Sequence, residues 1–75
     1  MIREHDSVVL ASDLSDIGLK AGDVGTLVLV HPTGGGEVEF MTLAGETLAV
    51  VSLSMNQLRP IGTHEIAHAR QIHQI

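Results

Sequence analysis

The chain has 75 residues, one aromatic residue (Phe40) and no Cys, which points to a single small domain without disulfides or thiolate metal sites. Nine Asp and Glu stand against four Lys and Arg, a formal net charge of -5. The bases are scattered, so no basic stripe exists for nucleic-acid phosphate, and no apolar run reaches the ~18 residues of a membrane span.

The first six residues, Met1-Ile-Arg-Glu-His-Asp6, carry no apolar core of a secretory leader, so a cytoplasmic location is expected. Ser7 to Ala11 reads as a first strand. Ser12 to Ala21, with Asp13, Ser15, Asp16 and Gly18, reads as a polar excursion loop. Gly22 fits position i+2 of a type II turn, where φ is positive. Asp23 to His31 reads as the second strand, and Gly25 within it marks a bulge or a close backbone approach. Pro32 to Gly36 forms a hairpin loop. Glu37 to Leu43 reads as the third strand: Val38 and Phe40 alternate with Glu37 and Glu39, so one face is buried and one is wet.

Ala44-Gly45-Glu46 makes a tight turn into a fourth strand, Thr47 to Leu53. Ser54 to Leu58 suits one helical turn, and Arg59-Pro60-Ile61 a short edge strand, where Pro is tolerated. Thr63 to Ile75 holds no Gly or Pro. Thr63 could cap a short helix on which Ile66, Ala69 and Ile72 recur at spacing three. A helix this short must pack on something or fray. The expected architecture is all-β: a small five-stranded SH3-like barrel over residues 1–62, then a C-terminal helix or flexible tail over residues 63–75. Five short strands with tight turns favour a barrel over an open sheet.

Two strands are apolar on both faces. Strict alternation puts Val24, Val28 and Val30 on one side of the second strand and Leu27 and Leu29 on the other. In the fourth, Leu48 and Val50 oppose Ala49, Val51 and Leu53. The expected contact surface is Leu27, Leu29, Val51 and Leu53 together with Ile66 and Ile72 of the tail. A second copy or a protein partner would cover it, because contiguous exposed apolar patches mark contacts and small cores gain from oligomerisation. The polar loop at 12–21 and the hairpin at 32–36 are further contact candidates.

Gly22-Asp-Val-Gly25-Thr-Leu-Val28, followed by Val38-Glu-Phe40, resembles the opening of SH3-like barrels of the KOW class. A wider set of residues is more specific. Glu4 to Leu10, Gly18 to Gly25, Glu37 to Phe40 and Leu53 to Pro60 together resemble a small bacterial family known as domain of unknown function 4926. That resemblance implies an SH3-like barrel and supplies no catalytic residue. It also implies a protein partner of toxin–antitoxin or immunity type. KOW domains contact RNA, an alternative that the acidic balance and the Glu37–Glu39 face oppose.

His64-Glu-Ile-Ala-His68 matches the H-E-x-x-H pattern. On a helix, His64 and His68 would share one face and could grip Zn²⁺, with Glu65 as general base on a bound water. A metal-binding protein or metal-dependent hydrolase is therefore the alternative function. It lacks a third ligand: Gln71 and Gln74 stand where a metzincin has Gly and His, and His73 falls one residue short. His5 and His31 are isolated, the Asp residues match no calcium loop, and no Ser lies in a nucleophile elbow. The expected function is a non-enzymatic binding module with no required cofactor.

Overall fold

The computed structural model describes residues 2–72. Five strands form one antiparallel sheet: β1 (Ser7–Leu10), β2 (Val24–Val30), β3 (Gly36–Met41), β4 (Thr47–Leu53) and β5 (Leu58–Pro60). Their spatial order is β4-β3-β2-β1-β5, so β4 and β5 are the two edges. The sheet is open: no ladder joins its ends. Single 3-10 turns occupy Ser15–Ile17 and Met55–Gln57. The second follows a capping box, in which the Ser54 backbone N–H donates to Gln57 Oε1 at 2.9 Å.

Local chemistry sets the strand ends. The Asp23 N–H donates to the Lys20 carbonyl at 3.0 Å, closing a four-residue turn with Gly22 at φ 97°. A positive φ at this position is what selects glycine. Gly25 has a different reason. It lies between Val8 and Phe40 in the ladders, and a Cβ there would come within 2.6 Å of Val38 Cγ1 and 2.9 Å of the Glu39 carbonyl. The missing side chain lets the Phe40 ring approach the backbone of β2.

Inward residues follow the ladders. Val8, Gly25, Phe40 and Ala49 make one row, and Leu27, Val38 and Val51 the next. The core is Val8, Leu10, Leu19, Leu27, Val38, Phe40, Leu53 and Leu58, with Ile2, Leu14, Val51 and Met55 packed against it. Leu19 comes from the loop before β2, so that excursion roofs the core.

Two irregularities break the alternation. One lies between Leu27 and Leu29: Leu27 pairs with Val38, but Leu29 pairs with Glu37. Val28 is the extra residue, so Leu27 points inward and Leu29 outward. The other lies between Phe40 and Met41, where Phe40 pairs with Ala49 and Met41 with Thr47. A bulge inserts one residue and flips everything beyond it to the other face. Alternation therefore breaks at Val28 in β2 and at Leu48 in β4, and it holds over Ala49–Leu53, where the face expected outside is the core face. Leu27, expected on the outer surface, is 0% exposed in the core, and Leu53 is 6% exposed there.

The C-terminal helix expected over residues 63–75 is a second correction. Among the described residues from 63 onward none is helical. The tail is held by side-chain bonds instead. The Gly62 backbone N–H donates to Glu65 Oε2 at 2.6 Å, and Arg59 Nη1 lies 2.8 Å from the same carboxylate. Thr63 provides no cap, and a dozen residues with β-branched and His positions give too little to offset helix nucleation.

Candidate functional site

The outward face of β2, β3 and β4 is the most distinctive surface. Bulge geometry places Leu29 there beside Glu37, and the β3–β4 ladder places Val50 beside Glu39. Leu29 is 47% and Val50 55% exposed. Val24 and Met41 extend the exposed apolar set, so aliphatic side chains alternate with carboxylates.

Each carboxylate is held by its neighbours. Glu37 Oε2 accepts from the Ser52 hydroxyl and lies 2.7 Å from His31 Nε2. The Ser52 hydroxyl first, then His31, hold the Glu37 carboxyl below its ordinary pKa. Glu39 Oε2 accepts from Thr47 Oγ1 at 2.5 Å. His31, Glu37 and Ser52 are the residue types of a hydrolytic triad in the wrong order. The carboxylate lies between hydroxyl and imidazole and takes the serine's hydrogen bond, so His31 is not placed on the Ser52 hydroxyl as a triad histidine is.

The tail returns to the sheet at a second place. Arg70 Nε and Nη2 grip Asp23 Oδ1 and Oδ2 at 2.8 and 2.7 Å, a two-bonded fork. Arg70 Nη2 also donates to the Gly18 carbonyl at 2.9 Å. Arg70 is the main cause that holds the Asp23 carboxyl below its ordinary value, against a smaller opposing effect of burial. Beside this latch, Val24, Met41, Leu48, Ala67 and Ile72 line an open groove of about 720 Å³. A smaller cleft of about 440 Å³ separates the Asp13–Ile17 loop from Val51–Leu53 of β4.

Of the expected contact residues, only Leu29 is on the outer face of the sheet. Leu27 and Leu53 are core, and Val51 is half-buried against it. In the tail, Ile66 is 93% exposed, and Ile72 is half-buried in the groove. The outward residues of β4 are Thr47, Val50 and Ser52, and Leu48 is the half-buried extra residue of the bulge. His64 and His68 sit in non-helical chain, so the i, i+4 geometry that would bring them to one metal is missing. Glu65 is engaged by Gly62 and Arg59, and these two contacts, in that order, lower its pKa. No group of three or more metal-ligating residues occurs among the described residues. His73 lies outside them. The Asp23–Arg70 latch was missed because 47 residues separate its partners and no local pattern links them.

A family model described as domain of unknown function (DUF4926) matches residues 4–60. The chain belongs to this family. The DUF4926 segment spans all five strands and both bulges and ends at Pro60, before the tail that carries Glu65 and Arg70. No curated protein and no solved structure matches the chain. No helix of the described residues is long and apolar enough to cross a membrane.

Proposed function

We propose that the chain is a non-enzymatic protein-contact module of the SH3-like class, with its contact surface on the outward face of β2, β3 and β4. The β4-β3-β2-β1-β5 order, with one 3-10 turn leading into β5, supports the SH3-like reading. The observation that carries the function is the pairing of Leu29 with Glu37 and of Val50 with Glu39 on one exposed face. Aliphatic contacts interleaved with carboxylates suit a partner that presents apolar side chains and Lys or Arg together, since long basic side chains lay their stems on apolar surface. The formal charge of -5 steers the same kind of partner and repels nucleic-acid phosphate. A partner of toxin–antitoxin or immunity type, expected in the cytoplasm, is the first class to test.

The test is affinity capture from cells of the source organism with the wild-type chain and with a Leu29→Glu, Val50→Glu variant. Both positions are exposed, so the variant should keep the fold. A protein retained by the wild type and lost by the variant supports the reading. Equal recovery by both chains sinks it.

A further inference from the structure

We propose that two copies of the chain pair, antiparallel, through the free edge of β4. This deepens the contact-module reading and rests on it. Among the described residues, no backbone hydrogen bond joins Thr47–Leu53 to any segment other than β3. The outer N–H and C=O groups of a seven-residue strand are therefore unpaired. Sheet proteins commonly guard such an edge with shortness, charge or proline. The opposite edge does so: β5 has three residues and includes Arg59 and Pro60. The β4 edge has none of these three, and its one irregularity, the bulge at Leu48, lies near its start. Its sequence, Thr-Leu-Ala-Val-Val-Ser-Leu, is uncharged, free of Pro and Gly, and rich in β-branched residues.

A second copy offers the same uncharged edge, matched in length and residue types, for an isologous pairing. Leu48 is the extra residue of the bulge, so the regular part of the edge is Ala49–Leu53, and a two-fold axis at Val50 sets Ala49 opposite Val51 of the other copy. No like charges meet, although each chain carries -5. The nearest facing carboxylates, Glu37 and Glu39, lie on β3. Across the joined sheet the two β3 strands are three spacings apart, ~14 Å, beyond the ~8 Å screening length of physiological salt. One strand pair is a small interface, so the dimer is weak and concentration-dependent.

Sedimentation equilibrium over a wide concentration range tests the proposal. The wild-type mass should rise from one chain toward two, Val50→Lys should stay at one, and Leu29→Lys should dimerise like the wild type. Leu29 shares the outward face but lies on an interior strand, so it separates edge pairing from face packing. A wild type that stays monomeric overturns the proposal, as does loss of the dimer in Leu29→Lys alone. Amide exchange provides a second readout that needs no variant. The β4 amides should exchange more slowly as concentration rises, and unchanged rates overturn the proposal. A monomeric chain that still captures its partner would sink the edge pairing and leave the contact module standing.

Discussion

At Gly25, in the middle of the sheet, one added carbon has no room. An alanine Cβ would meet the Val38 side chain, the Glu39 carbonyl and the edge of the Phe40 ring, at 2.6, 2.9 and 3.0 Å. All three contacts are in the packed core or on backbone, which cannot step aside. Gly25→Ala should therefore cost about 1–3 kcal/mol. A urea titration reads this as a lower midpoint at unchanged slope; an unchanged midpoint would show that β3 has room to give. The Asp23–Arg70 pair makes a different prediction, set by pH. Asp23 has a lowered pKa in the fold, so its contribution is complete above the unfolded value and is lost as pH falls through the folded one. The tail amides near Arg70 should thus begin to lose protection, measured against the intrinsic exchange rate at each pH, as pH drops below the ordinary aspartate range. Arg70→Ala should remove that pH dependence, and a pH response that survives in the variant would assign it to another carboxylate.

At the scale of elements, the bulge at Val28 decides which leucine matters. Leu27 is core and Leu29 is surface, although two residues apart on one strand they would normally share a face. Leu27→Ala should cost about 2–5 kcal/mol, whereas Leu29→Ala should stay within about 0.5 kcal/mol. Thermal unfolding of the two variants checks this, and equal losses would mean that the ladder continues without a bulge. The strands themselves were legible in the sequence. Glu37-Val-Glu-Phe shows its alternation, Pro32 and the glycines mark the hairpin, and Thr47 to Leu53 coincides with β4. The tail was misread for a physical reason. Ile66, Ala69 and Ile72 at spacing three are compatible with a helix, but the pattern has no nucleus strong enough to compete with Glu65 on Arg59 and Arg70 on Asp23.

At the scale of the whole molecule, one aromatic side chain carries an unusual share of the core. Phe40 is the largest of the fully buried side chains and sits among Val8, Leu27 and Val38. A domain of this size has about 4–11 kcal/mol of stability in total, and Phe→Ala in a core removes about 3–5 kcal/mol. Phe40→Ala should therefore leave a substantial unfolded population, visible as a shallow or absent thermal transition by circular dichroism. The sequence by itself determined the strands, their order along the chain, the turn at Gly22 and the acidic charge, because these depend on neighbours within a few residues. Residues 4–60 also held enough of that local pattern to place the chain in its family. Tertiary structure alone decided which face of β2 and β4 is core, since both faces are apolar in sequence, and it alone placed the bulges, which exist only relative to the strand across the ladder. It likewise decided the open sheet edges and the Asp23–Arg70 latch, because both depend on where distant parts of the chain meet.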